Sequence, residues 1–331
     1  MNKENSNNIG IAGTGFYIPE RILTNFDLEK IVDTTDEWIR TRTGIEERRT
    51  ASDEEATSDL AAKAGEKALK DADINPKEID LLIIATHFPD HHFPSTACIT
   101  QHKLGMKNAV CFDLSAACTG SIYSLYVAES LMKNSNYKTA MIIGTEIFSR
   151  TVDWQDRNTC ILFGDGAGAI ILKKGQKEKS IISFDFGSDG SNADLIKIPA
   201  GGSRLPPTIN TIRNKQHYIQ MEGKKVYRFA KKMMVHSVNK ALEKAELSRK
   251  DIDLLIPHQA NIRILKAVAK KLHLPLEKIM INLQKYGNTS AASIPIALDE
   301  AISEGKIKEG DIVVLTAFGA GLTWGEIVIR W

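Results

Sequence analysis

Cysteine, charge of one sign and long apolar runs are all scarce in this sequence, and each scarcity excludes a class of protein. The 331 residues include four cysteines without a CxxC pair, so neither a zinc ribbon nor a disulfide framework is indicated. A net charge of +2 gives no reason to expect nucleic acid or an anionic membrane as a partner. Apolar runs such as Ala167–Leu172 are far shorter than the ~20 residues of a membrane span. Met1–Asn8 is polar, so no secretory signal is predicted.

The sequence does contain enough apolar material for a large core. A hydrophobic content of 43% and a charged content of 25% are typical of soluble globular proteins. The length suits roughly two domains. Cysteines without disulfide spacing favour a cytoplasmic protein with free thiols.

A predicted helix, Thr57–Ala72, and a predicted strand, Ile79–Thr86, form a helix–turn–strand unit that occurs twice along the chain. Ala68–Ile83 matches Ala241–Ile256, and each copy reads as a helix, a polar turn and a buried strand. Two further pairs of segments follow the copies: a strand over Asn108–Phe112 with one over Lys278–Leu283, and Thr139–Gly144 with Asp311–Thr316. Two similar halves of alternating strands and helices predict a duplicated α/β domain. We place the halves at residues 1–175 and 176–331, with the seam in the lysine-rich stretch Lys173–Lys179.

Cys118 lies where a buried strand is predicted to end and a buried helix, Ser121–Met132, to begin. Unpaired N–H groups and the positive end of the helix dipole at such a junction favour the thiolate. The thiolate is the nucleophilic form, so the position suits a covalent catalyst. A small core cysteine in a close-packed junction is the structural alternative. This stretch alone does not decide between the two readings.

The second half supplies partners for Cys118. Asn288 follows the predicted counterpart strand, so a pseudo-two-fold packing would bring both residues to one crevice at the carboxyl ends of the strands. His258 stands just beyond the repeated strand, after Pro257, where a strand end opens on that crevice. The glycine-rich turn Ala317–Gly325 could present N–H groups as an oxyanion hole, or simply lead into a closing strand. Together these residues suit acyl transfer through a thioester.

Three smaller clusters of residues have two possible interpretations each, a ligand-binding role and a purely structural one. Trp38 and Arg42 stand four apart on a predicted helix, Thr34–Gly44, with Thr34 and Glu37 at capping-box spacing. The pair suits a nucleotide or phosphate, although a surface cation–π contact is the simpler reading. The basic stripe on a second helix is either a solvated face or a docking site for an acidic carrier; it consists of Arg263, Lys266 and Lys270. In the histidine-rich loop His87–His92 the spacing is not that of a zinc site, and no metal is expected.

Six motifs together resemble one family, the β-ketoacyl-acyl carrier protein synthases III of the thiolase-like condensing enzymes. They are Asp36–Gly44, Ala116–Gly120, Phe163–Gly168, Pro257–Arg263, Gly287–Ala292 and Phe318–Gly325. The resemblance covers nearly the whole chain. It implies a thiolase-like duplicated α/β fold, with two similar halves in a five-layer α-β-α-β-α arrangement.

The resemblance also implies a two-stage reaction. Cys118 would take the acyl group of an acyl-CoA primer, acetyl-CoA or similar, with its own N–H and that of Ala320 as the oxyanion hole. Malonyl-acyl carrier protein would then lose CO2, and His258 and Asn288 would hold the enolate that attacks the acyl-cysteine. The β-ketoacyl-acyl carrier protein formed would initiate type II fatty acid synthesis. CoA and carrier thioesters are substrates, so no cofactor is expected.

Further roles are implied position by position. Trp38 and Arg157 resemble the pair that sandwiches the CoA adenine, and Arg42 resembles a phosphate contact. Gly223 and Asn261 resemble contacts along the pantetheine tunnel. Arg263, with Lys266 and Lys270, resembles the carrier-docking site. Phe93 resembles the residue that enters the partner's acyl pocket, which implies a homodimer.

Other readings stay open. A type III polyketide or quinolone-forming synthase would share the Cys-His-Asn set but use another acyl-CoA primer. An acyl-CoA thioester hydrolase, or a non-catalytic acyl-CoA-binding protein, would also suit the residues. Thiolase is disfavoured, because Phe318–Gly325 carries no second catalytic cysteine. The histidines of His87–His92, and Asn158 where the family pattern has Gly, leave the primer undetermined.

Overall fold

The computed structural model describes residues 8–176 and 179–331. The segment Met1–Asn8, in which no secretory signal is predicted, lies almost wholly outside the described residues. Part of the predicted seam, Lys173–Lys179, also lies outside them. The strands are Ile9–Tyr17 (β1), Arg21–Thr24 (β2), Glu47–Thr50 (β3), Leu81–Ala85 (β4), Val110–Leu114 (β5), Thr139–Glu146 (β6), Gly166–Lys174 (β7), Ser180–Ser188 (β8), Ile196–Lys197 (β9), Gln220–Met221 (β10), Leu254–Pro257 (β11), Ile312–Gly319 (β12) and Thr323–Arg330 (β13).

The helices follow the sequence periodicity closely, and Thr57–Ala72 has the predicted bounds. They are Asn25–Leu28 (α1), Asp36–Thr43 (α2), Thr57–Ala72 (α3), Thr96–Leu104 (α4), Gly120–Lys133 (α5), Arg157–Cys160 (α6), Ile209–Arg213 (α7), Gly223–Lys244 (α8), Ile262–Leu272 (α9), Leu283–Tyr286 (α10) and Ser293–Ser303 (α11). Among the described helices, none combines the length and apolar character that crossing a bilayer requires.

Nine strands form one mixed sheet in the order β11-β12-β13-β8-β1-β7-β6-β4-β5. Strands from the first part of the chain stand together at one side, and strands from the second part at the other. A single residue pair, Gly10 with Ser180, joins β1 to β8. The predicted α/β class is confirmed, whereas the boundary at residue 175 stays a prediction.

Helices cover the strands in layers. Helices α5 and α11 lie in the central apolar core between the two groups of strands, where β4, β6, β7, β11, β12 and β13 all contribute side chains. Helices α3 and α4 close a second core on the outside of the first group. Helices α8 and α9 close a third core on the outside of the second group. Since each strand group is covered on both faces, β4, β6 and β12 are buried along their whole length.

The turn before α5 and the turn before α11 share one backbone conformation. Ala117 has φ +51° and opens a 3₁₀ turn that leads into α5. Ser290 has φ +50° and opens the corresponding turn into α11. Left-handed backbone is unfavourable for residues other than glycine by roughly 1–2 kcal/mol. Surrounding contacts must therefore hold both turns.

The strand predicted over Lys278–Leu283 is wrong. Ile279 makes only an isolated parallel bridge to Leu255, and Leu283 already begins α10. The reason is the side chain of Gln259, which donates to the Met280 carbonyl and accepts the Asn282 N–H. Its amide takes the hydrogen bonds that a neighbouring strand would otherwise make.

The predicted cap of α2 is one residue off. Thr35, rather than Thr34, has the extended backbone of an N-cap, and its Oγ1 accepts the N–H of Trp38. The capping box of Thr34 with Glu37 does not form. Gly44 ends the helix in the left-handed conformation, as its position predicted.

Candidate active site

One cavity of about 860 Å³ brings Cys118, His258 and Asn288 together. Cys118 follows β5, and His258 follows β11, each at the carboxyl end of a strand in a parallel pair. Asn288 lies in the junction before α11. The crevice predicted from the duplication therefore exists, and all three side chains line it. Their catalytic roles stay predictions.

The thiol of Cys118 is contacted by Ser290, in the turn before α11. Ser290 Oγ lies 3.3 Å from Cys118 Sγ and donates to it. Burial raises the pKa of the thiol to about 12, while the Ser290 hydroxyl pulls the pKa back down. The predicted resting thiolate is thus wrong for the free protein, because the buried position outweighs the helix N-terminus.

His258 is fixed in one neutral form. Its Nδ1 lies 2.7 Å from Ser293 Oγ, which also accepts the Gln259 N–H at 3.4 Å. With the Ser293 hydroxyl as the donor to Nδ1, the proton of the neutral ring lies on Nε2. Burial lowers the pKa of His258 to about 3. A neutral imidazole with an Nε2–H can donate to a developing anion without first gaining a proton.

Asn288 has a rigid backbone and an oriented amide. Its N–H donates to the Leu162 carbonyl, and its own carbonyl accepts the Gly164 N–H. Its side-chain Oδ1 accepts the Ser290 N–H at 2.9 Å. With the oxygen occupied in this way, the NH2 group remains to donate toward a ligand in the cavity.

The glycine-rich turn packs directly on the nucleophile turn. A Cβ at Gly319 would lie only 2.8 Å from the Cys118 nitrogen, so a side chain is sterically excluded there. Thr323 Oγ1 lies 3.3 Å from the Ala116 carbonyl and 3.1 Å from the Ala320 carbonyl, and so links the two turns. Ala320 lines the cavity. The oxyanion hole of Cys118 and Ala320 stays a prediction that this packing supports.

Aromatic side chains form one wall of the cavity near Cys118. The ring of Phe148 stacks on Phe163 at 4.4 Å and meets Phe88 edge-on at 4.8 Å. All three rings line the cavity, together with Ile198 and Ile219. Such a wall suits an apolar acyl chain. It was not predicted from the sequence, because the five residues belong to segments far apart in the chain.

The cavity lining carries six cations and, within the described ranges, no carboxylate. The cations are Arg42, Lys197, Lys224, Arg228, Lys231 and Arg263. A one-signed rim of this kind attracts anionic ligands and acidic protein surfaces. The sequence reading found Arg42 and Arg263 but missed the other four. The spacing of Lys224, Arg228 and Lys231 on α8 was the signal available.

Two guanidinium groups lie close to the ring of Trp38. Arg157 Cζ lies 4.7 Å from the centre of the Trp38 ring, and Arg42 Cζ lies 5.8 Å from it. An adenine inserted between ring and guanidinium needs two van der Waals contacts, roughly 7 Å in all. Arg157 must therefore move away to admit a base. Trp38 and Arg157 lie outside the cavity lining, whereas their neighbour Arg42 belongs to it.

The other predicted binding residues divide between the lining and the surface. Gly223 and Asn261 line the cavity. Asn261 also has structural duties: it caps α9 through the Arg263 N–H and donates to the Arg42 carbonyl. Exposed positions outside the lining are Lys266, Lys270 and Phe93, and Phe93 is 87% exposed. Across the described residues, no group of three or more potential metal ligands occurs.

Comparison with known proteins places the chain in a family. Residues 112–190 match the model of 3-oxoacyl-[acyl-carrier-protein] synthase III, and residues 242–331 match the model of its C-terminal part. The β-ketoacyl-[acyl-carrier-protein] synthase III of Caldanaerobacter subterraneus subsp. tengcongensis is 52% identical over 97% of each chain. The counterpart from Fusobacterium nucleatum is 51% identical over 98% of each.

A solved structure agrees with these relatives. The 3-oxoacyl-[acyl-carrier-protein] synthase III of Aquifex aeolicus matches 98% of this chain and all of its own, with a TM-score of 0.90 and 47% identity. The fold is that of a thiolase-like enzyme, as the motifs implied. The chain belongs to the 3-oxoacyl-[acyl-carrier-protein] synthase III family.

Proposed function

We propose that this protein condenses an acyl-CoA primer with malonyl-acyl carrier protein, with loss of CO2, and so initiates type II fatty acid synthesis. The observation that carries the proposal is the single cavity shared by Cys118, His258 and Asn288. Full-length relatives at about half identity carry the name of this activity. They favour it over the polyketide and quinolone alternatives.

In the first stage Cys118 Sγ attacks the thioester carbon of the acyl-CoA. The carbonyl oxygen becomes an oxyanion that the N–H groups of Cys118 and Ala320 stabilise. The C–S bond to CoA then breaks, and the thiol proton of Cys118 ends on the CoA sulfur. The Ser290 hydroxyl, 3.3 Å from Sγ, stabilises negative charge as the sulfur loses its proton.

In the second stage malonyl-acyl carrier protein occupies the same cavity and loses CO2. The electron pair left behind forms an enolate, whose oxygen accepts hydrogen bonds from His258 Nε2–H and the Asn288 amide. The enolate carbon attacks the acyl-cysteine, and the Cys118 sulfur leaves as a thiolate and takes up a proton. The product is a β-ketoacyl-acyl carrier protein. This stage suits a histidine whose low pKa keeps it neutral.

Substrate binding follows from the charged mouth of the cavity. In this proposal Arg42 binds a CoA phosphate, and Trp38 with Arg157 binds the adenine after Arg157 swings aside. Gly223 and Asn261 flank the pantetheine arm. Arg263, Lys266 and Lys270 receive the carrier, with the cations of α8 beside them. Both thioesters are substrates, and every step balances without a further cofactor.

We also infer a cytoplasmic homodimer. The ring of Phe93 is 87% exposed and is therefore available to contact a second copy of the chain. Its proposed place is the acyl pocket of the partner. The described chain holds four free cysteines and no disulfide, which supports a reducing compartment. Sedimentation of the native protein, with Phe93→Ala as a comparison, tests the dimer.

The experiment incubates the protein with acetyl-CoA and reads its intact mass. We expect one acetyl group per chain, absent from Cys118→Ala, and transferred to a β-ketoacyl product only when malonyl-acyl carrier protein is added. Repeated turnover without that carrier, with more than one CoA released per chain, would establish a hydrolase. No adduct at all, across acetyl, branched and aromatic primers, would establish a binding protein. Preference for an aromatic primer would favour the quinolone-type alternative.

A further inference from the structure

His87 links a buried acid to the nucleophile turn. It stands just beyond β4, the first copy of the repeated strand, and lines the active-site cavity. Its Nδ1 lies 2.9 Å from Oε1 of Glu146, the last residue of β6. Its Nε2 accepts the N–H of Ala117 at 2.6 Å. Both ring nitrogens are therefore used by the protein itself.

Glu146 is a buried hydrogen-bond acceptor that orients the ring of His87. The residue is fully buried, and three donors converge on its carboxyl group: His87 Nδ1, the His87 N–H at 3.1 Å and the Thr86 hydroxyl at 3.2 Å. Burial lowers the pKa of His87, and the charge and hydrogen bond of Glu146 raise it by more, so it lies above its ordinary value. Above that pKa the single ring proton faces Glu146, and Nε2 is free to accept from Ala117.

Ala117, whose N–H donates to His87, immediately precedes the proposed nucleophile Cys118. Ala117 has φ +51°, a conformation that L side chains adopt only when contacts hold it. The orientation of the peptide between Ala117 and Cys118 sets the direction of the Cys118 N–H, one of the two proposed oxyanion donors. The same turn packs closely on Gly319. The imidazole adds a hydrogen bond to the Ala117 N–H, so two separate contacts hold the turn.

We propose that His87 and Glu146 are positioning residues, which hold the Ala117–Cys118 turn so that the Cys118 N–H points into the oxyanion hole. The proposal rests on the proposed function and deepens it. With both nitrogens occupied, His87 is not an acid or base for the substrate. Its loss should impair acyl transfer, which uses the oxyanion hole, and spare malonyl decarboxylation, which uses His258 and Asn288.

The test compares the two half-reactions in three variants. His87→Leu removes both hydrogen bonds. His87→Gln restores them, because its amide can donate to Glu146 and accept from Ala117. His236→Leu, on the exposed face of α8, is the matched control. The rate of Cys118 acetylation at saturating acetyl-CoA, its KM and the rate of CO2 release from malonyl-acyl carrier protein are measured for each.

We expect His87→Leu to acetylate on the order of tenfold to a hundredfold more slowly, below the loss from deleting an oxyanion donor outright. Its KM and its decarboxylation rate should stay within about twofold, and His87→Gln should recover most of the acetylation rate. Should the leucine variant not fold, His87→Asn, whose oxygen does not reach the Ala117 N–H, makes the same test.

A rate of Cys118 acetylation in His87→Leu equal to that of the wild-type protein would overturn the proposal. So would a parallel loss of both half-reactions without rescue by His87→Gln, since that pattern marks general damage to the site. If the wild-type protein itself took no acyl group, the proposed function would fail instead. The two failures are therefore distinguishable.

Discussion

At the scale of single residues, the Ser293 hydroxyl decides which nitrogen of His258 carries the proton. The sequence predicted His258 from its place at a strand end, but it gave no sign of this partner 35 positions later. The contact arises because α11 begins at Ser293, beside the end of β11, which His258 directly follows. Only the fold brings the two together.

Ser293→Ala should slow malonyl decarboxylation about fivefold, because a hydrogen bond of roughly 1 kcal/mol that holds the ring is lost. Acetylation of Cys118 should be nearly unchanged. Ser303→Ala, at the exposed end of the same helix, is the control. Decarboxylation equal to wild type in Ser293→Ala would show that the tautomer is held by something else.

The raised pKa of Cys118 gives a pH dependence with a definite sign. With a pKa of about 12, the thiolate fraction at neutral pH is small and grows about tenfold per pH unit below the pKa. Alkylation of Cys118 by iodoacetamide should therefore rise steadily from pH 7 to pH 9. Ser290→Ala should be slower throughout, because the hydroxyl that lowers the pKa is gone.

The alkylation rate is read by mass, and Cys118→Ala provides the background from the other thiols. A rate that is already level by pH 8 would contradict the account. It would show that the helix N-terminus does keep a thiolate in the free protein, as the sequence had suggested.

At the scale of elements, β6 and the turn before α11 are packed backbone to backbone. A Cβ at Gly144, in β6, would overlap the carbonyl of Ala291. Gly144→Ala should lower the free energy of unfolding by about 1–3 kcal/mol, the usual range for overpacking. The melting temperature should fall by several degrees.

Gly190→Ala serves as the control, because nothing lies within 4 Å of a Cβ there. An unchanged melting temperature in Gly144→Ala would show that β6 and the turn before α11 can separate. Their contact would then not fix the position of that turn.

Element prediction from the sequence succeeded where burial and periodicity agree. Helix α3 has its predicted ends, and the repeat located both β4 and β11. Prediction failed where one side chain replaces a regular element, as Gln259 does beside Met280. The sequence also predicted the wrong protonation state for Cys118, a thiolate instead of a thiol, since local sequence shows the helix dipole but not the depth of burial.

At the scale of the whole molecule, the charge of the cavity mouth is assembled from distant parts of the chain. Arg42, the α8 cations and Arg263 meet at one rim, although the chain carries a net charge of only +2. Composition therefore could not reveal this field. The family motifs identified Arg263, while the α8 cations emerged only from the three-dimensional arrangement.

Arg263→Glu should raise the KM for malonyl-acyl carrier protein about tenfold, because charge reversal at a rim weakens encounter with an acidic partner. Added salt should raise the wild-type KM in the same direction. Lys250→Glu, exposed in the turn before β11, is the matched charge reversal. An equal increase of this KM in Arg263→Glu and Lys250→Glu would argue against a docking site at α9.

The central proposal for this protein is that one cavity performs two separable half-reactions. The most direct measurement follows acetyl transfer from acetyl-CoA and CO2 release from malonyl-acyl carrier protein in Cys118→Ala and Asn288→Ala. We predict that Cys118→Ala releases CO2 without becoming acetylated, and that Asn288→Ala becomes acetylated without releasing CO2. Loss of both half-reactions in Asn288→Ala would contradict the account and make Asn288 a structural support.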